Sequence, residues 1–153
     1  ALRKVQSLLP AIKNLYDLPI GTKLDPFSFS EKELKRVLHV VGEKERTQNL
    51  LDAFAKGNIL EAGKCLYGTH DSLSQLFEVS CPETDFIVEQ LKEKQATGAR
   101  MIGGGFGGSI LVLDKAGNRA KIEDQIKLKY QEKFNLQATF YGFQISDGVS
   151  ELL

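Results

Sequence analysis

The chain has no net charge and few cysteines. Its 20 lysine and arginine residues are balanced by 20 aspartate and glutamate residues. Nucleic-acid-binding domains are usually basic, with lysine and arginine gathered on one face, so nucleic acid is set aside as a partner. The two cysteines, Cys65 and Cys81, are too few for a disulfide framework and agree with a reducing compartment. We therefore expect a cytoplasmic protein.

The chain also has no long hydrophobic segment. No apolar run approaches the roughly 18 to 20 residues that cross a bilayer, and no basic segment leads into an apolar one as in a secretory signal. We therefore expect that the protein does not bind to or cross a membrane. The only methionine is Met101, and the chain begins at Ala1 inside a segment that is already amphipathic. We therefore expect that residues upstream of Ala1 are missing, and a targeting segment could be among them.

The first part of the chain has the apolar periodicity of helices. A stripe at helical spacing runs from Leu2 to Leu15 and predicts a first helix that ends before Pro19. Ser30, with Glu33 three residues later, forms a capping box that opens a second helix. This helix is predicted to continue to the glycine-containing stop signal at 56–58.

Two more helices follow in the predicted order. An apolar stripe from Ile59 to Phe77 predicts the third helix. The fourth begins near 80–83, where two interpretations differ by one residue. Ser80 with Glu83 would make a capping box, whereas Pro82 prefers the first helical position and would make Cys81 the cap.

The period changes after Gly98. Residues 99–102 and 109–113 are short apolar runs of the strand type, separated by 103–108. Residues 119–134 return to a helical pattern, and 137–145 read as a closing strand. The order of helices, strand, loop, strand, helix and strand indicates an α+β fold with a small, largely antiparallel sheet packed with helices.

The glycine loop is the one compositional outlier, and two interpretations of it stay open. Five of its six positions are glycine: Gly103, Gly104, Gly105, Phe106, Gly107 and Gly108. A dinucleotide-binding G-x-G-x-x-G loop leads from a strand into a helix, but this loop leads into a strand-type run. Its backbone N–H groups could converge on an anion beside the cation of Arg100. Alternatively, it is a hairpin that packs tightly against a neighbouring element.

Five other residues could suggest chemistry. His39 and His70 lie in helical stretches without metal-ligand spacing, so we expect hydrogen-bonded structural histidines and no metal site. Cys81 lies at a helix N-terminus, where a thiol can be reactive, but a capping or buried role is favoured. Glu83 and Asp85 do not share a helix face, so they are not expected to form a catalytic pair.

Four ordered segments carry more specific motifs. They are Arg-Val-Leu-His-Val-Val at 36–41 with Glu43 and Arg46, Thr-His-Asp-Ser-Leu at 69–73, Glu-Val-Ser-Cys-Pro-Glu-Thr-Asp at 78–85, and Gly-Ala-Arg-Met-Ile followed by the glycine loop and Ser109 at 98–109. Together they resemble motifs of galactokinases, members of the GHMP superfamily of small-molecule kinases. The tail at 140–148 fits as well. The resemblance covers about residues 30 to 148.

The resemblance implies a fold and a reaction. Residues 1–153 would be a GHMP kinase C-terminal domain of the ferredoxin-like type, separated from its N-terminal lobe. The whole enzyme would phosphorylate galactose to galactose 1-phosphate with ATP and Mg²⁺. In the family, the catalytic aspartate, the magnesium ligands and the phosphate loop belong to the N-terminal half. We therefore expect no catalytic residue, metal ligand or cofactor ligand in this chain, and no activity of the chain alone.

The resemblance also assigns a role to the loop. Residues 103–108 would line the cleft between the lobes near the phosphates, with Arg100 beside them. Ile102 stands where the family usually has threonine, and Ser109 stands where it often has cysteine. A direct polar role at 102 is therefore not expected. Two alternatives are a non-catalytic sensor or interaction module with the kinase fold, and a GHMP kinase for another small acceptor.

Overall fold

The computed structural model of the chain describes residues 1–25, 28–115 and 117–143. Its regular elements are α1 (Leu2–Leu8), α2 (Glu31–Ala55), α3 (Ile59–Ser72), α4 (Pro82–Glu93), β1 (Gly98–Ile102), β2 (Ser109–Leu113) and α5 (Arg119–Phe134), with a 3₁₀ turn at Leu15–Asp17 and a π-helical turn at Leu73–Phe77. The strands pair antiparallel, so the predicted α+β class is confirmed. Within the described ranges, no helix combines the length and apolar composition needed to cross a membrane.

The prediction of one helix from residue 2 to residue 15 is wrong. Helix α1 ends at Leu8, and Leu9 has left the helical region with φ −134° and ψ 81°. Pro10 follows, and a proline forces the residue before it toward extended conformations and donates no N–H of its own. The apolar residues at helical spacing therefore continue beyond Leu8, although the helix ends there.

Helix α2 begins as predicted. The Ser30 N–H donates to Glu33 Oε2 at 2.9 Å, and the Glu33 N–H donates to Ser30 Oγ at 3.3 Å. Glu33 Oε2 also accepts from Lys4 Nζ at 2.6 Å. Hydrogen bonds from Lys4 and from Ser30 lower the pKa of Glu33 to about 2. One carboxylate thus caps α2 and ties it to α1.

The start of α4 settles the choice between its two predicted caps. Cys81 is the N-cap and Pro82 is the first helical residue, so the Cys81 interpretation is confirmed. The Cys81 N–H donates to Thr84 Oγ1 at 3.1 Å. Ser80 does not pair with Glu83, because its hydroxyl donates to Asp85 Oδ2 at 3.1 Å.

Helix α3 lies against β1 with their backbones in contact. A Cβ on Gly63 would lie 1.9 Å from the carbonyl oxygen of Thr97, the residue before β1, and a Cβ on Gly98 of β1 would lie 2.4 Å from the Gly63 Cα. Seven residues of helix and three residues of strand both rise about 10 Å. The contact near Gly63 and Gly98 therefore brings His70, two turns along α3, opposite Met101 on β1.

Two apolar clusters stabilise the described part of the chain. The first joins α4, β1 and α5 and contains Val88, Leu91, Ala96, Ala99, Ile122 and Ile126. The second joins α1, α2 and the segment between them and contains Val5, Leu18, Phe29 and Val37. Because Ala99 of β1 belongs to the first cluster and Ile110 of β2 packs against it, the glycine loop between these strands projects from the part of the molecule that this cluster stabilises.

The closing strand predicted for 137–145 is wrong over the part that the structure describes. Residues 137–143 have no strand pairing, and residues 144 and 145 lie outside the described ranges, as do residues 146–148 of the resembling tail. Phe140 packs against the first cluster, and Lys127 Nζ lies 5.3 Å from the centre of its ring. The apolar residue that suggested a strand is thus used for packing beside α5.

Candidate functional site

The glycine loop joins two antiparallel strands. Ile102 pairs with Ser109 at its base, so residues 103–108 form the end of a hairpin. The loop leads from strand to strand, and this excludes the strand-to-helix geometry of a dinucleotide fingerprint. The hairpin interpretation is correct as a description of the backbone.

One side of the loop rests on the segment between the π-helical turn and α4, residues 78–81, here called the connector. The Phe106 N–H donates to the Val79 carbonyl oxygen at 2.6 Å. A Cβ on Gly105 would lie 2.9 Å from the same oxygen, and Gly105 has φ +91°. Both the close approach and the left-handed conformation require glycine at this position.

The other side of the loop is open. A Cβ built on Gly103, Gly104 or Gly107 would meet no atom within 4 Å. Phe106, whose φ is 60°, is 77% exposed. Apart from the exposed Phe106 ring, the loop therefore offers backbone without side-chain bulk at Gly103, Gly104 and Gly107, which is the property that a phosphate-facing loop needs.

Arg100 lies on β1, three residues before Gly103, where this open face begins. Its Nε donates to the Met101 carbonyl oxygen at 3.0 Å, and the residue is half-buried. The guanidinium keeps further donors after making this bond. Arg100 is thus tethered to the strand that leads into the loop.

His70 is buried behind the loop. It is 3% exposed, and its Nδ1 accepts the Met101 N–H at 3.2 Å. Its Nε2 lies 3.1 Å from Asp85 Oδ1. Burial lowers the pKa of His70, while the Asp85 and Asp71 carboxylates act in the opposite direction. The prediction of a hydrogen-bonded structural histidine is confirmed.

Asp85 has more partners than sequence reasoning assigned to it. Its Oδ2 accepts from Ser74 Oγ at 3.2 Å and from Ser80 Oγ at 3.1 Å, in addition to the contact of Oδ1 with His70. It therefore links the end of α3, the π-helical turn, the connector and α4. The position of Asp85 in the 78–85 motif marked it as a residue of interest. The distance of 15 positions between His70 and Asp85 in the sequence did not show that their side chains are in contact.

The connector is also held from α2. Arg36 Nη2 lies 2.7 Å from Glu78 Oε2, and Arg36 Nη1 donates to the Leu76 carbonyl oxygen. Glu78 has φ +58°, so the chain turns sharply at this residue. The hydrogen bond from Arg36 lowers the pKa of Glu78. Sequence reasoning placed Arg36 in a motif but did not pair it with Glu78.

His39 has a separate structural role. Its Nδ1 lies 2.9 Å from Ser72 Oγ, and its ring stacks on Phe77 with centroids 4.5 Å apart. Burial lowers the pKa of this imidazole. Within the described ranges, no three histidine, cysteine, aspartate or glutamate residues come together as a metal site.

Glu83 and Asp85 do not form a carboxylate pair. Asp85 faces His70, whereas hydrogen bonds with its own backbone N–H and with Cys81 lower the pKa of Glu83. Such a shift is expected for an acid in the first turn of a helix. The sequence-based rejection of a catalytic pair agrees with this geometry.

Comparison with known proteins gives this geometry a family context. Residues 50–132 match the family described as GHMP kinases C terminal. Galactokinase from Thermosipho africanus (strain TCF52B) is 46% identical over 120 residues, which cover 78% of this chain and 34% of that protein. Galactokinase from Lactobacillus helveticus is 34% identical over 156 residues, covering 99% of this chain and 40% of that protein.

A solved structure agrees as well. The structure of Lactococcus lactis galactokinase complexed with galactose superposes with a TM-score of 0.81 at 32% identity, covering 92% of this chain and 37% of that one. The chain thus spans between a third and two fifths of the length of the galactokinases that it matches. Since the family match covers more than half of the residues and the fold agrees, this chain belongs to the GHMP kinase C-terminal family.

Proposed function

We propose that this chain is the C-terminal part of a galactokinase. In this proposal the whole protein transfers the γ-phosphate of ATP to the anomeric hydroxyl of galactose and forms galactose 1-phosphate with Mg²⁺ as the metal. Support comes from the similarity to galactokinases over most of the chain and from a fold shared with a galactokinase that was solved with galactose. The remaining catalytic parts would come from an N-terminal lobe.

The observation that carries the proposal is the one-sided support of the glycine loop. Its inner side is fixed by Val79, and on its outer side a Cβ built on Gly103, Gly104 or Gly107 would meet no atom within 4 Å. Phosphoryl transfer depends mainly on positioning and on stabilising negative charge. A fixed loop with an open backbone face, beside the Arg100 cation, suits a position against the phosphates of ATP.

The described residues fit phosphate better than they fit magnesium. The open glycine face and Arg100 provide N–H donors, whereas no acidic cluster among the described ranges offers a donor set for Mg²⁺. When bound, Mg²⁺ would neutralise phosphate charge. In this proposal this chain's residues limit how far the phosphates can move, and the metal is held by the N-terminal lobe.

The first experiment compares the chain with the longer protein. A coupled assay with galactose and Mg-ATP is run on the 153-residue chain and on the longer protein, with an N-terminal lobe, that this proposal implies. Turnover is expected only for the longer protein. Turnover by the chain alone would overturn the assignment of catalytic groups to the other lobe, and a longer protein without galactose turnover would overturn the galactokinase assignment.

The second experiment tests the loop. Gly104→Ala adds a methyl group to the open face at a position with ordinary φ, so the fold is expected to tolerate it. In the longer protein it should raise KM for ATP by about tenfold, because the phosphates lose close approach to the backbone. Gly117→Ala is the matched control, since it also meets nothing within 4 Å and has ordinary φ. An unchanged KM in Gly104→Ala would contradict the phosphate-facing role.

A further inference from the structure

The Met101 amide has a side-chain acceptor instead of a strand partner. Its N–H donates to His70 Nδ1 at 3.2 Å, across the contact between α3 and β1. A ring nitrogen can accept this bond only when it carries no proton. The ring proton of His70 is therefore on Nε2, which lies 3.1 Å from Asp85 Oδ1 and donates to it. The hydrogen bond from Nε2 to Asp85 thus keeps His70 in the tautomer that has its proton on Nε2.

The second oxygen of Asp85 leads to the tip of the same loop. Asp85 Oδ2 accepts from Ser80 Oγ at 3.1 Å. Ser80 follows Val79, whose carbonyl oxygen accepts the Phe106 N–H at 2.6 Å. The carboxylate is thus the meeting point of two arms. One arm runs through His70 to the strand before the loop, and the other runs through Ser80 and Val79 to the loop tip.

We propose that Asp85 and His70 are positioning residues that hold the glycine loop at both its base and its tip. Asp85 keeps His70 in the tautomer that accepts the Met101 N–H, and it holds Ser80 so that Val79 faces Phe106. The consequence for phosphate binding rests on the function proposed above. The two arms themselves can be measured without any activity.

Protonation of His70 would break the first arm. A proton on Nδ1 leaves no acceptor for the Met101 N–H. The charged groups around the ring are Asp71 on α3 and Asp85 and Lys92 on α4, while β1 offers only the Met101 backbone. Burial lowers the pKa of His70. The loop base is therefore expected to stay attached at neutral pH and to loosen in acid.

Hydrogen exchange of the Met101 and Phe106 amides, followed by NMR in the 153-residue chain at one pH, tests the two arms separately. In His70→Asn the side-chain oxygen lies near the position of Nδ1 and should keep Met101 protected. In His70→Gln the polar group lies near Nε2, so the Met101 amide should exchange about tenfold faster, which corresponds to one lost hydrogen bond. Equal protection of Met101 in the two variants would overturn the first arm.

Two further variants test the carboxylate. Ser80→Ala should speed exchange of Phe106 by about tenfold and leave Met101 unchanged, whereas Asp85→Asn should speed both. Asp71→Asn is the control, because Asp71 pairs with Lys92 at 2.7 Å and makes no hydrogen bond to His70. If Asp85→Asn leaves the exchange rate of the Phe106 amide unchanged, the proposal that Asp85 holds both arms is overturned. Circular dichroism of each variant establishes that it is folded.

A spectroscopic and a kinetic measurement complete the test. The ¹⁵N shifts of the His70 ring should show an unprotonated Nδ1 at neutral pH, and a protonated Nδ1 would overturn the tautomer. In the longer protein, Asp85→Asn should raise KM for ATP more than Asp71→Asn does. If exchange changes as expected and KM does not, the arms exist but do not serve phosphate positioning. If the wild-type longer protein has no turnover, the proposed function fails instead.

Discussion

Gly63 on α3 and Gly98 on β1 touch without any side chain between them. A Cβ on Gly98 would lie 2.4 Å from the Gly63 Cα, a distance that real Cβ contacts do not reach. The same contact places His70 opposite Met101, two helical turns further along. The pair of glycines therefore determines whether the buried histidine can reach the strand that leads into the glycine loop.

The first prediction concerns this glycine contact. Gly63→Ala and Gly98→Ala should each lower the free energy of unfolding by about 3 kcal/mol, because backbone atoms rather than flexible side chains must move. Urea denaturation measures the change. Gly117→Ala, which meets nothing within 4 Å, should stay within about 0.5 kcal/mol of the wild type. A loss at Gly63 no larger than at Gly117 would contradict the backbone contact.

The second prediction concerns pH. Burial lowers the pKa of His39 and of His70 below the ordinary value of 6.5, so the unfolded chain binds these protons more readily than the folded chain. Their contribution to stability is complete above pH 6.5 and is lost as the pH falls toward the folded pKa values. Denaturation at pH 7.5 and at pH 5.5 should show lower stability at the acid pH.

The same measurement has a direct control. His70→Asn removes one of the two titrating rings, so the stability difference between the two pH values should be smaller than in the wild type. A variant with an unchanged pH dependence would show that His70 does not contribute to it. Glu33 does not interfere, because its contribution to stability is lost only as the pH falls below its ordinary value of 4.5 toward the folded pKa of about 2.

The third prediction concerns the link between α1 and α2. Glu33→Gln should lower the melting temperature, because Glu33 accepts from both Ser30 and Lys4. Glu31→Gln is the matched control. Glu31 is also an acid in the first turn of α2, but its side chain is 85% exposed and, among the residues that the structure describes, its ion pair is with Lys35 at 3.2 Å. Equal melting temperatures of the two variants would show that the Glu33 contacts contribute nothing beyond the helix dipole.

The fourth prediction concerns self-association of the isolated chain. Large apolar side chains are exposed on it, among them Leu51 at 59%, Leu60 at 68%, Tyr141 at 84% and Phe143 at 72%. Exposed apolar surface of this kind marks an interface with another protein or domain, or favours self-association. Sedimentation velocity over a concentration series should show species larger than the monomer. A monomer at every concentration would contradict the prediction.

Several elements could be predicted from the local sequence. Where a prediction was wrong, the cause is also local. The Ser30 and Glu33 capping box, the strand at 109–113 and the helix at 119–134 agree with the predicted positions, and the first strand begins one residue earlier than predicted, at Gly98. The first helix is shorter than the apolar stripe predicts, because the chain leaves the helical conformation at Leu9, directly before Pro10. Apolar periodicity alone does not distinguish a helix from an irregular segment with the same spacing of apolar residues.

The sequence alone determined that the loop at 103–108 is rich in glycine and that Arg100 precedes it by three residues. Which side of the loop would be supported was decided by the fold, because Val79 reaches Gly105 only after the π-helical turn and the sharp turn at Glu78 bring the connector against it. Asp85 and His70 are separated by 15 positions, and their contact depends on how α3 and α4 pack. Local patterns determine helices, caps and turns, whereas a hydrogen-bond network across several elements exists only once those elements have packed together.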